Sequence, residues 1–345
     1  STLRKKGNWT MGQGDDAAYI SYSTAKHDKI LVEPTLNYAQ KIGKNDISAV
    51  AGYSYDFFHE EYRGETKLDP LVIGDKYITS FNSATGTQTC TGSYIEHILM
   101  SYFARVNYSF DDRYLIQLTG RRDGTSRLPK TTRWASFGSV SLGWRISNEK
   151  FFNVDWIDDL KIRANLGTLG NTNIGAWDYQ ATINTAPRAI MNGDNLVLGM
   201  TQSNLTNNDL VWERKTTANV GVDFTALKTR LTASAEYYYS KSSDLLLALP
   251  VLMTTGNEGG APTVNAGSLQ NTGIEFELGW HDTVGDFSYS VNANLSTCWN
   301  KVLDLGYGQT VYYTSFAKSE IGKPLGMWYL YKNLGVFQSI DEVKN

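Results

Sequence analysis

The chain has little of several features that would mark common classes of protein. Its 345 residues include only two cysteines, Cys90 and Cys298, which are too few for a disulfide framework. They are interpreted as free thiols or as one bridge between loops. Lys and Arg total 32 against 35 acidic residues, giving a net charge of −3. Because no basic surplus is available to neutralise phosphates, we expect no nucleic-acid partner.

Long apolar segments are also missing. The longest nearly apolar run, 245–253, contains Pro250 and is far shorter than the roughly 20 residues of a membrane-spanning helix. The first residues, 1–7, lack the apolar stretch of a signal peptide. We therefore expect an internal piece of a longer polypeptide. With 41% hydrophobic residues and only 7 prolines, the composition is still that of a folded chain.

What the chain does have is alternation of apolar and polar residues. In 101–110, Tyr102, Val106 and Phe110 fall on one face while Arg105 falls on the other. A period of two indicates a strand with one apolar and one polar face. The pattern predicts ten strands in one antiparallel meander: 31–42, 47–58, 93–110, 113–123, 134–146, 159–168, 212–225, 230–240, 272–281 and 286–296.

The predicted connections alternate between short and long. Four of the five odd-numbered links are tight turns rich in Gly, Asp, Asn or Lys, and the fifth, near 147–159, is somewhat longer. The even-numbered links are mostly long: 59–92, 124–133, 169–211 and 241–271. Short turns at one end and long loops at the other are typical of outer-membrane barrels, in which the long loops lie outside the cell.

The two predicted faces differ as the walls of such a barrel should. Charges are missing from the apolar runs, which fits lipid contact, because a Lys or Arg facing mid-bilayer lipid costs roughly 2–4 kcal/mol. Aromatic residues near the short turns predict an interfacial girdle: Tyr108, Phe110, Tyr114, Trp144, Phe224, Trp280 and Phe287. The opposite face predicts a polar lumen lined by Arg105, Gln117, Lys161, Arg163, Asn165, Glu213, Glu275 and Glu277.

Several segments resemble the SusC-type TonB-dependent outer-membrane transporters of the Bacteroidetes. Residues 102–127 resemble that family's block YFGRVNYSYKDKYLL…RADGSSRF, 134–146 its strand WGYFPSVSLAWRI, and 160–171 its segment LKLRASYGQTGN. Further matching segments follow in the family's order as far as 271–275. Two small departures are Gly138, where the family usually has Pro, and Leu128-Pro129, which replaces a Phe.

The resemblance implies a fold and a division of the chain. It implies an all-β, transmembrane antiparallel β-barrel, of which about ten strands of a larger plugged barrel are present. We expect residues 1–30 to form an extracellular loop segment and 31–296 to form the barrel strands with their long extracellular loops. Residues 297–345 are expected to form a further extracellular loop and the start of the following strands. The resemblance also implies a location in the outer membrane.

The implied function is active import of an oligosaccharide or oligopeptide, with a SusD-like surface lipoprotein and TonB as partners. TonB would act through a plug that is not recognisable in this chain. No cofactor, metal or catalytic residue is expected, because no catalytic motif is found. Two alternatives remain open: a passive outer-membrane porin, and a surface β-sandwich adhesin or carbohydrate-binding module.

Candidate ligand or loop contacts are found at the strand ends and in the long loops. Trp177, Tyr179 and Trp212 lie in or beside loop 169–211 and are suited to stacking on sugars or docking a lipoprotein. The group Arg121, Arg122 and Asp123 predicts either a charged rim that contacts plug, ligand or lid, or a structural turn with Arg–Asp pairing. Glu275 and Glu277 resemble a glycosidase pair in spacing, but a lumen-lining role is favoured.

Overall fold

The computed structural model describes residues 2–4, 18–74, 76–184, 188–191, 195–202, 205–248, 261–332 and 335–336. Twelve strands form one antiparallel sheet. They are β1 (Thr2–Arg4), β2 (Tyr19–Val32), β3 (Thr35–Ile42), β4 (Asn45–Leu68), β5 (Gln88–Phe110), β6 (Tyr114–Thr125), β7 (Trp134–Arg145), β8 (Ile157–Asn171), β9 (Glu213–Ala226), β10 (Leu231–Ser243), β11 (Ser268–Val284) and β12 (Phe287–Asp304). From β4 to β12 each strand pairs with the next along the chain, while β2 and β3 both pair with β4.

Strands β2 and β3 act as a single strand of the sheet. Val32 pairs with Tyr55 and Thr35 with Gly52, so the register against β4 continues unchanged across the break. The break falls at Pro34, which has no N–H to donate to a ladder. Counted this way, and leaving out the three residues of β1, the sheet has ten strand positions. The predicted all-β antiparallel sheet of about ten strands is confirmed.

The strands run further toward the long connections than the sequence predicts. The predicted loop 59–92 contains strand residues 59–68 and 88–92, and the predicted loop segment 1–30 contains strand residues 19–30. The segment 297–345, predicted to begin as a loop, begins with strand residues 297–304. These predictions of loop were wrong because the extra strand length carries polar or charged residues on both faces. Without an apolar face, the period of two in hydrophobicity disappears although the backbone pairing continues.

Small two- or three-stranded elements occupy the long connections. Four of them are two-stranded: Val72–Ile73 with Lys76–Tyr77, Ile183–Asn184 with Thr201–Gln202, Arg188–Met191 with Asn195–Leu198, and Leu246–Ala248 with Thr263–Asn265. The fifth is three-stranded, with Ala317–Glu320 between Val311–Tyr313 and Met327–Trp328. Two 3-10 turns, Phe81–Ser83 and Ile146–Asn148, complete the described elements. No helix among these residues is both long and apolar enough to cross a membrane.

The apolar face of the sheet lies open. Val220, near the middle of β9, is 56% exposed, and its cross-strand partners are Ala164 and Tyr237. Large exposed residues of the same face include Leu36, Tyr38, Val106, Leu118, Leu142, Leu166, Ile274, Phe276, Val291 and Leu295. The described part of the chain therefore forms a single layer with an uncovered apolar side, as expected of a barrel wall whose outer face contacts lipid.

The apolar face has a sharp upper limit on the tallest strands. Ile30, Phe57 and Ile98 form one cross-strand row of it. Two residues further from the short turns, the same face carries the row Asp28, His59 and Glu96. A change from apolar to charged side chains on one continuous face is the pattern expected where lipid gives way to water.

Candidate functional site

The polar face of the sheet holds charged side chains in a connected network. The Nε of Arg163 donates to Asp223 Oδ1 at 3.1 Å, and its Nη1 reaches Glu236. Lys161 Nζ lies 3.5 Å from Asp223 Oδ2. Asn219 donates from Nδ2 to Glu236 Oε1 at 2.7 Å. These bonds cross three neighbouring strands and offset the charge of the carboxylates within the wall.

A glycine makes this network possible. Gly221 lies opposite Arg163 in the ladder between β8 and β9, and a Cβ placed on Gly221 would be 2.9 Å from Arg163 Cζ. The guanidinium therefore lies flat across the bare backbone of β9 to reach Glu236 on β10. A larger residue at position 221 would occupy the space that Arg163 uses.

The lumen-facing residues predicted from the sequence share this face. Cross-strand pairing places Arg105 opposite Thr119, Gln117 opposite Ser141, and Asn165 opposite Asn219. Glu275 pairs with Glu236, and Glu277 with Ser234. Lys161, Arg163 and Glu213 follow the same alternation on β8 and β9. The role of this face as the lining of an aqueous lumen stays a prediction.

A recess of about 520 Å³ opens on the polar face toward the long connections. Its lining combines an ion pair, hydroxyl groups, amides, aromatic rings and leucine side chains: Leu99, Thr119, Arg121, Asp123, Phe137, Ser139, Asn165, Leu166, Thr168, Leu169, Trp212, Thr217 and Asn219. Its volume falls within the range of small-molecule pockets. Thr119 Oγ1 is buried beside it without a hydrogen-bond partner among the described residues.

Arg121 and Asp123 form the charged corner of the recess. Arg121 Nε donates to Asp123 Oδ1 at 2.6 Å, and its Nη2 donates to Ser101 Oγ at 2.8 Å. Asp123 and Ser101 are buried. Because the two charges offset each other, the recess suits neutral polar groups better than ions.

Arg122 requires a correction to the predicted charged rim. Successive residues of a strand point to opposite faces, and Arg122 pairs with Tyr102 on the apolar side. Its guanidinium carbon lies 5.9 Å from the centre of the Trp134 ring. It therefore does not share a surface with Arg121 and Asp123.

The three predicted loop aromatics differ in their accessibility. Trp177 is exposed, whereas Trp212 is only 8% exposed and donates its indole N–H to Arg133 O at 2.9 Å. Trp212 packs edge-on against Phe137, with ring centres 5.6 Å apart. They belong to a buried cluster that joins two long connections to the sheet: Leu128, Phe137, Ile174, Leu210 and Trp212, with Tyr179 packed against it. Trp212 thus holds the loops together while one edge lines the recess.

The aromatic residues predicted near the short turns share the apolar face, and their polar atoms have partners. Tyr108 OH donates to Asn45 Oδ1 at 2.7 Å. Tyr114 OH and Trp144 Nε1 both donate to Glu149 Oε1, at 2.7 and 3.1 Å. Phe110, Phe224, Trp280 and Phe287 lie on the same face, beside Tyr114, Ala233, Val291 and Val284. Their role as a girdle at the membrane interface stays a prediction.

Other polar groups of the inner surface were not singled out from the sequence. Glu236 and Asn219 complete the Arg163 network, and the alternation on β9 and β10 was the signal that would have found them.

Arg127 lies 3.2 Å from a ring nitrogen of His97. This contact lies toward the long connections, where the apolar face of the sheet ends. Burial, and then the charge of Arg127, hold the pKa of His97 below its ordinary value.

Cys90 and Cys298 are free and exposed, so the bridge considered above does not form.

Together these features define one class of protein: the wall of an outer-membrane β-barrel with an apolar outer face and a polar inner face. The family described as TonB dependent receptor-like, beta-barrel has a family model that matches residues 2–327. The chain belongs to this family and is one of its SusC-type members.

Similar proteins support that assignment. TonB-dependent receptor P39 of Formosa agariphila is 33% identical over 304 residues, covering 86% of this chain and 28% of that protein. TonB-dependent receptor SusC of Bacteroides thetaiotaomicron is 32% identical over 322 residues, covering 92% of this chain and 31% of that protein. The solved RagAB peptide transporter is similar with a TM-score of 0.76 at 25% identity, over 89% of this chain and 34% of that chain. The chain thus spans about a third of the length of these relatives.

Proposed function

We propose that the complete protein is an active importer of oligosaccharides or oligopeptides, energised by TonB, and that this chain forms part of its barrel wall. A SusD-like lipoprotein would close over the long connections, which lie on the extracellular side. The proposal is supported by membership of the TonB-dependent receptor family and by the relatives named SusC and RagAB. None of these is named as an enzyme.

One observation carries the proposal most directly, namely the contrast between the two faces of a single-layered sheet. The outer face exposes large apolar residues, while the inner face carries polar and charged side chains, some of them in ion pairs around Arg163 and Arg121. A wall of this kind presents hydrogen-bonding and charged groups to a polar cargo. Such groups bind a neutral polar molecule weakly enough to release it, as passage through a pore requires.

The cargo class follows from the recess and from the relatives together. The hydroxyls, amides and aromatic edges of the recess suit both sugar hydroxyls and peptide groups. RagAB is described as a peptide transporter, which supports the peptide arm of the proposal. The chain's own contribution is to hold and orient cargo through the hydrogen-bond partners of the inner face.

Uptake by cells that carry the complete protein tests the proposal. We expect a labelled oligosaccharide or oligopeptide to enter wild-type cells and to stay outside when TonB is deleted. A passive porin predicts uptake without TonB. A surface adhesin or binding module predicts cargo binding without uptake, by a protein that is soluble without detergent.

A recess variant links the uptake to this chain. Asn165→Leu removes an amide from the recess, and loss of one or two neutral hydrogen bonds lowers uptake by about 2- to 10-fold. Ala164→Leu is the matched control, because it adds the same side chain to the neighbouring residue on the lipid side. Equal uptake by both variants would show that the recess does not contact cargo.

A further inference from the structure

Arg122 is a cation on the outer, apolar face of the sheet. Cross-strand pairing places Tyr53, Tyr102, Arg122 and Ser136 in one row on β4, β5, β6 and β7. The rows nearer the short turns contain no charged residue on these four strands, for example Ala104 with Gly120 and Val106 with Leu118. Arg122 is the first charge met on this part of the outer face.

No carboxylate of the described residues neutralises this charge. Among the ion pairs of the described residues, Arg121 binds Asp123 on the inner face, whereas Arg122 has no acidic partner. Its guanidinium instead lies 5.9 Å from the Trp134 ring centre. An aromatic ring attracts a cation but does not offset a full charge. The guanidinium therefore retains hydrogen-bond donors for an external anion.

The height of Arg122 on the strand matches the outer edge of a bilayer. Tyr114 begins β6 at its short turn, and Arg122 is eight residues further along, which is about 26 Å along a strand. With the usual barrel tilt of about 40°, this corresponds to roughly 20 Å of height, near the top of an apolar band about 25 Å tall. Arg122 thus lies about 5 Å below the outer edge of that band, two cross-strand rows short of the last apolar row on β4 and β5, and its long side chain can extend toward the lipid headgroups.

Aromatic rings hold this site in shape. The Trp134 ring lies over Gly124, where an added Cβ would come within 2.6 Å of it. It stacks on Tyr102 with ring centres 6.1 Å apart, and Tyr102 contacts Tyr53 at 5.1 Å. Amphipathic rings at this height are typical of the membrane interface. Below them Gly120 faces open space, which leaves room for an acyl chain.

We propose that Arg122 binds the phosphate of an anionic lipid headgroup in the outer leaflet, with Trp134 and Tyr102 packed beside it. The guanidinium fork suits two parallel hydrogen bonds to phosphate oxygens. A charge on the lipid face is tolerated near the interface, and a phosphate there gives it the partner that the protein does not supply. The occupant is a lipid and not free phosphate, because an apolar surface adjoins the guanidinium on its membrane side.

Native mass spectrometry of the complete protein in detergent tests this proposal. The probes are a bis-phosphorylated lipid A, its dephosphorylated form, and inorganic phosphate. We expect the phosphorylated lipid to bind wild-type protein and to bind Arg122→Gln at least about tenfold more weakly, since charged hydrogen bonds are lost. Arg122→Lys keeps a point charge and retains intermediate affinity.

Arg105→Gln is the control, because it removes the same charge from the inner face of the neighbouring strand. It is expected to bind the phosphorylated lipid as the wild type does. Heat-modifiable migration in gels shows which variants fold, and Arg122→Lys covers the case in which the glutamine variant does not. Equal binding by Arg122→Gln and wild type, equal losses in both glutamine variants, equal binding of the dephosphorylated lipid, or displacement of lipid by millimolar phosphate would each overturn the proposal. None of these results depends on cargo uptake.

Discussion

The indole Nε1 of Trp144 donates a 3.1 Å hydrogen bond to Oε1 of Glu149, five residues further along the chain. The same oxygen accepts from Tyr114 OH at 2.7 Å, and Arg113 Nη1 donates to Oε2 at 3.0 Å. Trp144 and Tyr114 are cross-strand partners on the apolar face. One carboxylate in a short connection thus satisfies the polar atoms of two aromatic residues at the edge of the lipid-facing band.

Replacing Glu149 is expected to loosen this end of the barrel. Glu149→Ala leaves two aromatic donors and Nη1 of Arg113 without their acceptor, so we expect the thermal unfolding midpoint of the complete protein in detergent to fall by a few degrees. Lys150→Ala, at the exposed neighbouring residue, is the control and leaves the midpoint unchanged. Equal midpoints for both variants would contradict the role given to Glu149.

The same carboxylate predicts a dependence on pH. Donation by Tyr114, then by Trp144 and Arg113, holds the pKa of Glu149 below its ordinary value of 4.5. A lowered folded-state pKa stabilises the fold above pH 4.5, and the stabilisation is lost as the pH falls through the folded-state pKa. The difference in midpoint between wild type and Glu149→Gln is therefore expected to be constant near neutral pH and to shrink under acid. A difference that grows on acidification would refute this assignment.

Gly221 is expected to tolerate no side chain. Gly221→Val places atoms where the Arg163 guanidinium lies, so it displaces Arg163 from Asp223 and Glu236. We expect the free energy of unfolding to fall by about 1–3 kcal/mol. Gly120→Ala, at a glycine whose added Cβ meets nothing within 4 Å, is the control. Urea unfolding in detergent measures both, and a smaller loss at Gly221 than at Gly120 would contradict the packing described here.

Trp212 is expected to hold the long connections against the sheet. Trp212→Ala opens a cavity in the buried cluster, a change that costs about 3–5 kcal/mol for a large aromatic residue. We expect limited proteolysis to cut the connection 172–212 faster while heat-modifiable migration of the barrel is kept. Trp177→Ala, at an exposed tryptophan of the same connection, should leave the cleavage rate unchanged. Unchanged cleavage in Trp212→Ala would show that the cluster is not needed.

Cys90 offers a test of orientation. It is free and exposed on β5, on the side of the long connections. In a Cys298→Ser background, a membrane-impermeant maleimide is expected to label Cys90 in intact cells. In the same Cys298→Ser background, a variant with Cys90→Ser and Lys44→Cys carries its thiol in the short turn between β3 and β4. This thiol should react only after the outer membrane is permeabilised. The reverse pattern would place the long connections in the periplasm.

The strands that contact lipid were predictable from the sequence, and the remaining parts of the sheet were not. Leu142 and Val220 lie on strands with one apolar face, so hydrophobic alternation identified β7 and β9 directly. Residues 59–68 pair as regularly as these, yet carry His59, Glu61 and Arg63 on the outer face, because water covers both sides there. Alternation of hydrophobicity reveals a strand when its two faces contact different media, lipid on one side and water on the other. It does not reveal a strand when both faces contact the same medium.

The candidate site was predictable only in part, for a similar reason. Period two assigned Arg163 and Glu275 to the polar face, and the same rule would have separated Arg122 from Arg121. The recess depends on contacts between residues far apart in sequence, such as Trp212 with Phe137. Spacing along one strand holds no information about which loop folds back onto it.

Site-directed spin labelling of residues 216–224 in β9 measures most directly which solvent covers each face. In the complete protein reconstituted in lipid, nitroxides at Val220 and Val222 are expected to collide mainly with oxygen, which partitions into the bilayer. Nitroxides at Asn219 and Asp223 are expected to collide mainly with a water-soluble nickel complex. A period of two in this ratio, with oxygen favoured at the even-numbered residues, is the predicted result. Equal accessibility at neighbouring residues, or nickel favoured at Val220, would contradict the conclusion that lipid covers the apolar face.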